Sequence, residues 1–304
     1  MCSSDLYRYK NTSAKIPAMS TDKLKARTVG ELLDEGRRRL AAYSENPAAD
    51  ARVLLSHISG LDAAALAARP ERELEAALLQ AWEDGLFMLE AGSPLPYVLG
   101  EWEFFGLPFG VAPAALIPRP ETELLVETAI RWLRAHPGRR RLADVGVGSG
   151  AIAVALAVSI EDVQVTATDI SADALAVAES NARRHAVGGR VDLVKADLLA
   201  GVDGPFDLIC ANLPYVPSGR LPQLDVAKRE PVLALDGGGD GLDLVRRLLA
   251  QAPERLAPGG LLLAEVDDSH ETSAVALAAE YFPEAAIELR RDLADKPRLL
   301  VVHT

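Results

Sequence analysis

Cysteine, basic residues and long apolar runs are all scarce in this sequence, and each absence excludes a class of protein. Two cysteines among 304 residues, Cys2 and Cys210, provide neither a disulfide framework nor a cysteine metal cluster. The 32 basic against 44 acidic residues give a net charge of −12, which disfavours a broad contact with a nucleic-acid backbone. No run reaches the roughly 18 apolar residues of a bilayer span, and the first residues lack the apolar stretch typical of a signal peptide. We expect a cytoplasmic protein with no metal, no membrane contact and no direct nucleic-acid binding.

The chain is long enough for two domains, and 49% hydrophobic residues are ample for buried cores. Residues 1–20 are polar and aperiodic, so we expect a disordered leader, and its match to a translated sequencing adapter leaves a non-native origin open. Residues 21–92 show the apolar spacing of helices and predict a small helical bundle. The proline-rich residues 93–118 suit a β-hairpin linker, and residues 119–304 would form the main domain.

Within the helical domain, Asn46 followed by Pro47 predicts the start of one helix. Glu71–Glu90 is predicted to hold two further helical stretches. His57 lies beside apolar residues and has no second ligand at metal-binding spacing, which favours a core position over a metal site.

From residue 119 onward, apolar runs of strand length alternate with helical segments, which predicts an α/β fold with a mostly parallel sheet. The last two runs, Ile287–Arg290 and Arg298–Val302, are too close for a crossover helix and should pair antiparallel. Seven strands ending in such a hairpin suit a Rossmann-like methyltransferase better than a dinucleotide dehydrogenase. A helix over Leu242–Leu256 is predicted to end at Gly259–Gly260. The other predicted strands are Leu142–Val145, Val163–Thr168, Val191–Lys195, Phe206–Ala211 and Leu261–Val266.

A glycine-rich turn follows the first strand and precedes a predicted helix. Its residues are Gly146, Val147, Gly148, Ser149 and Gly150. Asp169 ends the next strand, about 20 residues further on, where a carboxylate can accept hydrogen bonds from ribose hydroxyls. Asp144 and Asp197 are predicted to lie along the same crevice. The turn fits both a dinucleotide and an S-adenosylmethionine site, so it leaves both cofactors open, whereas the lack of a following lysine excludes a P-loop.

The buried strand Phe206–Ala211 leads into Asn212, Leu213, Pro214 and Tyr215. The carboxyl end of such a strand is where open α/β sheets bind ligands. The Asn212 amide offers an acceptor, Pro214 restricts the backbone of Leu213, and Tyr215 offers a flat ring. Two acceptors and a ring face can hold a planar NH2 group, so these four residues are the predicted catalytic clamp. An ordinary strand-to-loop exit would show the same residues.

In combination, these motifs resemble the peptide chain release factor N5-glutamine methyltransferase family, known as PrmC or HemK. The resemblance runs from about Thr28 to Val302. The stretches that carry it are Leu116–Glu123, Asp144–Gly150, Asn212–Tyr215, Arg229–Gly241 and Arg291–Leu293. It implies an enzyme that transfers a methyl group from S-adenosylmethionine to the glutamine of the Gly-Gly-Gln motif in release factors, with S-adenosylhomocysteine as product and without a metal.

The same resemblance assigns roles to single residues. Asn212, Leu213, Pro214 and Tyr215 would hold the substrate glutamine, and Leu198 would lie against the adenine. Residues 21–92 would recognise the release factor. The residues implied to contact S-adenosylmethionine are Gly146, Val147, Gly148, Ser149, Gly150, Asp169 and Asn212.

Two positions depart from the family pattern. Leu213 stands where proline is usual, and because only its backbone carbonyl is needed we expect function to survive. Asp267 stands where glycine is usual, which leaves the role of that glycine open. The alternatives are methylation of an amino group on a nucleic-acid base, methylation of a ribosomal-protein glutamine, and a non-catalytic protein that binds S-adenosylmethionine.

Overall fold

The computed structural model describes residues 26–304, so the predicted leader over residues 1–20 lies outside the described part. The chain divides into two compact units between Leu99 and Gly100. The first unit contains one buried apolar cluster, and the second contains two. Among the described helices, none combines the length and the apolar character needed to cross a membrane.

The first unit is built mostly of short helices. The first of them begins at a capping box, in which the Glu31 N–H donates to the Thr28 hydroxyl and the Thr28 N–H donates to the Glu31 carboxylate. Asn46 caps the second helix with Pro47 in its first turn, as the sequence predicts. The elements in chain order are β1 (Arg27–Thr28), α1 (Val29–Leu40), α2 (Pro47–Ser59), α3 (Ala63–Ala68), β2 (Glu73–Leu74), α4 (Ala76–Glu90) and α5 (Leu95–Leu99).

Close packing around Trp82 forms the core of this unit. The indole is fully buried between α1, α2 and α4. A Cβ added at Gly36 would lie 2.7 Å from the Ala51 Cβ and 2.8 Å from the Trp82 ring, so only glycine fits there. Arg39 of α1 donates to the carboxylates of Glu83 and Glu90 on α4 and ties the two helices together.

Two sequence predictions for this unit are wrong. Glu71–Glu90 holds one helix rather than two, because Glu73–Leu74 is extended and pairs antiparallel with Arg27–Thr28. His57 is exposed rather than in the core. Helix α2 buries Ala51, Leu54 and Leu55, and at 100° per residue position 57 turns away from that face.

The predicted linker over residues 93–118 begins with the short helix α5, which precedes the predicted hairpin. The hairpin follows as β3 (Glu101–Phe104) and β4 (Leu107–Gly110), which pair antiparallel. Phe105 and Gly106 form its turn with φ of 54° and 70°, as a two-residue turn with positive φ at both positions requires.

A seven-stranded sheet forms the centre of the second unit, as the sequence predicts. The remaining elements in chain order are α6 (Glu123–Ala135), β5 (Arg141–Val145), α7 (Ala151–Ser159), β6 (Gln164–Asp169), α8 (Ala172–Arg184), β7 (Val191–Lys195), β8 (Phe206–Ala211), α9 (Asp243–Gln251), β9 (Leu256–Glu265), α10 (Glu271–Tyr281), β10 (Ala286–Arg291) and β11 (Pro297–His303). The strand order in the sheet is β10-β11-β9-β8-β5-β6-β7, in which β11 runs antiparallel to both of its neighbours and all other pairs are parallel.

Helices cover both faces of this sheet. Along β8, Leu208 and Cys210 pack with α6, α7 and α8, whereas Ile209 and Ala211 pack with α9 and α10. Successive side chains of a strand point to opposite faces, so a strand covered on both sides must be apolar throughout. This explains the unbroken apolar run that predicts β8.

The predicted helix over Leu242–Leu256 is too long. It ends at Gln251 in a 3-10 turn that contains Pro253, because proline lacks the N–H that would continue the helix. Gly259–Gly260 therefore does not end a helix but lies inside β9, where the pairing with β8 is irregular and Gly259 has a φ of 67°.

Candidate active site

A cavity of about 720 Å³ opens at the carboxyl ends of β5, β6 and β8. Strand β5 lies between the other two. After β5 the chain adds β6 and β7 on one side of it and then returns to add β8 on the other side. Such a switch point is where open α/β sheets bind ligands. The predicted site residues that line this cavity are Gly146, Gly148, Asp169, Leu198, Asn212, Leu213 and Pro214.

The glycine turn after β5 needs backbone conformations that other residues rarely adopt. The φ values of Gly146, Gly148 and Gly150 are 77°, 54° and 84°. A Cβ at Gly146 would also lie 2.9 Å from the Leu213 side chain, and one at Gly150 would lie 3.2 Å from Ala178. Val147, Ser149 and Gly150 are buried and do not line the cavity.

Asp169 stands at the end of β6 and holds the glycine turn. Its carboxylate accepts hydrogen bonds from the N–H of Gly148 at 3.0 Å and of Ser171 at 2.8 Å. Leu198 forms another part of the wall and has a φ of 55°, which is unusual for leucine. Strained residues of this kind gather at functional sites.

Asp144 is placed differently from the sequence prediction. Asp197 lines the cavity, but Asp144 is buried behind the glycine turn at the start of α7. One of its carboxylate oxygens accepts from the Ala153 N–H at 2.9 Å, and the other has no partner among residues 26–304. Burial raises the pKa of Asp144 to about 7, because the charged form loses its hydration. It lies inside because β5 is covered on both faces.

A second, smaller cavity of about 180 Å³ adjoins the first. Tyr215 lines only this second cavity. The residues that line both are Leu116, Asn212, Leu213, Pro214 and Ala234. Asn212, Leu213 and Pro214, in the turn after β8, therefore form a wall that has one cavity on each side.

The side chain of Asn212 is tied to a buried pair that the sequence does not predict. Its amide nitrogen Nδ2 donates to the Thr122 hydroxyl at 2.9 Å, and Thr122 donates to the Glu265 carboxylate at 2.6 Å. The Tyr215 hydroxyl donates weakly to the same carboxylate at 3.4 Å. Thr122 comes just before α6, and its side chain does not cap that helix. The sequence indicates these two residues only by their positions. Thr122 lies within the motif Leu116–Glu123, and Glu265 lies two residues before Asp267.

Burial dominates the electrostatics around this pair. It raises the pKa of Glu265 to about 7, against the opposing effects of the Thr122 hydrogen bond and the Arg298 charge. Burial and the Glu265 charge likewise raise the pKa of Tyr215 well above its usual value. Tyr215 is therefore a neutral hydrogen-bond donor at neutral pH.

An ion pair connects two sequence motifs at the edge of the second cavity. Arg119 donates to the buried carboxylate of Glu230, which also accepts from the Ile117 N–H at 3.1 Å. This contact holds Pro231 and the following turn, Val232–Ala234, over the larger cavity. Both motifs can be found in the sequence, but their contact cannot, because Arg119 and Glu230 are 111 positions apart.

Comparison with known proteins identifies the family. The family described as the PrmC N-terminal domain matches residues 31–100, and the methyltransferase small domain matches residues 120–229. A release factor glutamine methyltransferase from Bradyrhizobium diazoefficiens is 40% identical over 88% of this chain and 94% of its own length. The chain belongs to the release factor glutamine methyltransferase family. A member with the same name from Moorella thermoacetica is 44% identical over 79% of this chain and 85% of its own length.

A solved structure with much lower sequence identity has a similar fold. The hMettl16 catalytic domain, determined in complex with MAT2A 3′UTR hairpin 1, shares 15% sequence identity and a TM-score of 0.52. The match covers 74% of this chain and 80% of that domain. At this identity the likeness concerns the fold alone, and it agrees with the Rossmann-like methyltransferase architecture that the sequence predicts.

One departure of this member of the release factor glutamine methyltransferase family has a local structural reason. Asp267 has a φ of −69°, so its backbone does not require glycine. Its carboxylate accepts from the N–H and the hydroxyl of Ser269 and caps the 3-10 turn before α10.

Proposed function

We propose that this protein transfers the methyl group of S-adenosylmethionine to the side-chain amide nitrogen of a glutamine in peptide chain release factors. The observation that carries the proposal is the wall between the two cavities. It presents two hydrogen-bond acceptors, the side-chain oxygen of Asn212 and the carbonyl oxygen of Leu213. Neither oxygen accepts a hydrogen bond from any residue that the structure describes.

The larger cavity suits S-adenosylmethionine in size and charge. Its volume lies within the range of small-molecule sites, and its lining carries more acid than base. The charged lining residues are Asp169, Asp173, Asp197, Asp236 and Arg247. Because Asp197 pairs with Arg247 at 2.6 Å, the remaining carboxylates favour a cationic ligand. The unpaired oxygen of Asp144 and the unpaired hydroxyl of Thr168 are further polar atoms at this end of the sheet.

We assign the cofactor contacts to the turn Gly146–Gly150, to Asp169, to Leu198 and to Asn212. Asp169 would accept from the ribose hydroxyls and Leu198 would pack against the adenine. Val147, Ser149 and Gly150 do not line the cavity, so they would contribute by holding the backbone of the turn in its conformation. When bound, S-adenosylmethionine supplies a methyl carbon on a positively charged sulfur, which is a strong electrophile.

The clamp of Asn212, Leu213, Pro214 and Tyr215 would hold the glutamine in the smaller cavity. An amide nitrogen is a poor nucleophile because its lone pair is delocalised, so orientation must supply much of the rate. The two free oxygens would accept both N–H bonds of the substrate amide, fix the direction of its nitrogen, and favour positive charge as it develops there. The nitrogen would bond to the methyl carbon as the carbon–sulfur bond breaks, and one of the two N–H protons would then leave to water. Pro214 would restrict Leu213 to an extended conformation, and the Tyr215 ring would lie against the amide plane.

The proposal is tested by giving the protein three substrates in parallel with tritiated S-adenosylmethionine. Release factor, ribosomal protein and RNA are incubated at equal concentrations, and label is counted in each. Transfer to release factor alone is the expected result. Transfer to RNA or to ribosomal protein instead would replace the proposed substrate, and no transfer to any of them would leave cofactor binding without catalysis.

A further inference from the structure

Thr122 and Glu265 form a buried relay behind the clamp. Thr122 is 4% exposed and Glu265 is 3% exposed, so water cannot readily replace either partner. The Thr122 oxygen lies 2.9 Å from Asn212 Nδ2 and 2.6 Å from the Glu265 carboxylate. The three side chains come from three separate parts of the chain: the turn before α6, the end of β8 and the end of β9.

The hydrogen count in this relay determines which way the Asn212 amide faces. A hydroxyl has one hydrogen to donate, and an ionised carboxylate can only accept. The Thr122 hydrogen must therefore go to Glu265, and Thr122 can only accept from Asn212. The NH2 side of the Asn212 amide is then held inward, and its oxygen is left for the cavities. The reverse orientation would place an oxygen against the Thr122 oxygen without a hydrogen between them.

We propose that Thr122 and Glu265 are positioning residues that keep the Asn212 amide oriented with its oxygen toward the substrate nitrogen. This inference rests on the proposed function, since that function needs an acceptor there. An amide turned by 180° would present its own NH2 group to the substrate NH2 group, and two donors cannot form a hydrogen bond.

If Glu265 took up a proton, the Asn212 amide would no longer be held in this single orientation. A protonated Glu265 can donate to Thr122, which can then donate to the Asn212 oxygen and stabilise the flipped amide. The groups that act on Glu265 are Arg298 of β11, which favours the charged form, Glu121, which disfavours it, and the hydroxyls of Thr122 and Tyr215. Because burial places the pKa of Glu265 at about 7, the rate should fall as the pH drops through that value.

The experiment compares Thr122→Val and Thr122→Ser in the full-length protein, with whole release factor as substrate. Valine keeps the shape but removes the hydroxyl, and serine restores the hydroxyl. We expect kcat to fall on the order of 10- to 100-fold for Thr122→Val and to return to within about threefold of the parent for Thr122→Ser. S-Adenosylmethionine affinity should change much less than kcat in both, because the turn Gly146–Gly150, Asp169 and Leu198 stay in place. Thr128→Val, at another buried threonine that lies within α6, is the matched control and should keep the parent kcat.

The pH profile separates positioning from a merely structural role. The parent and Thr122→Ser should lose activity below about pH 7, whereas Glu265→Gln should show a lower kcat that does not change between pH 6 and 8. The positioning role of Thr122 and Glu265 would be refuted if Thr122→Val had the same kcat as the parent. It would also be refuted if the kcat of Thr122→Ser were as low as that of Thr122→Val. A Glu265→Gln profile that still falls below pH 7 would refute it as well, even where Thr122→Val does not fold. A parent protein that does not methylate release factor at all would instead refute the proposed function.

Discussion

Asp169 uses both carboxylate oxygens inside the protein, one for the Gly148 N–H and one for the Ser171 N–H. Each oxygen keeps a second lone pair, so the same acid can still accept from ribose hydroxyls. Asp169→Ala should weaken S-adenosylmethionine binding by about 1.5–3 kcal/mol, which is the usual worth of a hydrogen bond to a charged group. Isothermal titration calorimetry measures this change directly.

The matched control for that variant is Asp192→Ala. Asp192 is an exposed acid on β7, the strand beside β6, and it does not line the larger cavity. Its replacement changes the net charge equally and should leave the affinity unchanged. Equal binding by Asp169→Ala and the parent would remove Asp169 from the cofactor site.

The buried carboxyl of Asp144 makes stability depend on pH. Burial raises its pKa to about 7 in the folded protein from the usual 3.8, so the folded state binds more protons than the unfolded state between these values. Its contribution to the free energy of unfolding therefore falls as the pH rises from about 4 to about 7, by at most about 1.4 kcal/mol per pH unit. Asp144→Asn lacks this titration.

We therefore expect the stability of the parent, relative to Asp144→Asn, to decline between pH 5.5 and pH 7. Urea unfolding of both proteins at several pH values measures the difference. A difference that stays constant across this range would show that Asp144 titrates outside it in the folded state.

The sequence predicts where single site residues lie only when an element end places them. Asp169 ends β6 and Asn212 follows β8, and the parallel strands of one sheet have their carboxyl ends at the same edge, so both positions could be predicted. The contact of Thr122 with Glu265 joins residues 143 positions apart and depends on how α6 packs beside β9. No local pattern encodes that packing. The burial of Asp144 has a different cause, since α7 covers that face of β5 and the Ala153 N–H donates to the Asp144 carboxylate.

At the scale of elements, the turn between β5 and α7 requires glycine at its first position. Gly146 has a φ of 77°, and a Cβ there would lie 2.9 Å from Leu213. Gly146→Ala should lower the free energy of unfolding by about 1–2 kcal/mol, the cost of a left-handed conformation in a residue with a side chain. It should also weaken S-adenosylmethionine binding, because the turn lines the larger cavity. Thermal unfolding and calorimetry measure the two effects.

Gly189→Ala provides the comparison for this variant. Gly189 has open space around it and no positive φ, so alanine should be tolerated or slightly stabilising. If Gly146→Ala were as stable as Gly189→Ala and bound the cofactor equally well, the turn would not need its glycine.

Element types could be predicted from the sequence more easily than element ends. The apolar run of β8 and the short spacing of the last two strands predicted buried and antiparallel strands, and both predictions are confirmed. Helix α9 was extended too far because its apolar spacing continues past Pro253, into residues that belong to β9. Periodicity reports buried faces, whereas the end of a helix depends on which backbone N–H groups are present.

At the scale of the whole molecule, we propose that the first compact unit recognises the release factor. The described part of this unit contains no group of acids, histidines and cysteines suited to a metal, and both candidate cavities lie in the second unit. A glutamine side chain is too small and too common to be selected by the clamp alone, so selection should use contacts remote from the reacting nitrogen.

Removal of this unit separates recognition from chemistry. A chain that begins at Gly100 should bind S-adenosylmethionine normally but lose kcat/KM on whole release factor by on the order of 10-fold or more. A short Gly-Gly-Gln peptide should be methylated equally slowly by the truncated and the full chain, which also checks that the truncated chain is active. Equal kcat/KM on the whole factor would leave the unit without a recognition role.

By our proposal, the wall between the two cavities directs a methyl group onto a glutamine side-chain amide. Tandem mass spectrometry of release factor after incubation with the protein and S-adenosylmethionine locates the added methyl group. We predict one added methyl on the glutamine of the Gly-Gly-Gln motif, formed about 100-fold more slowly by Asn212→Ala because an oriented acceptor is lost. A methyl group on any other residue, or an unchanged rate with Asn212→Ala, would show that the wall does not have this role.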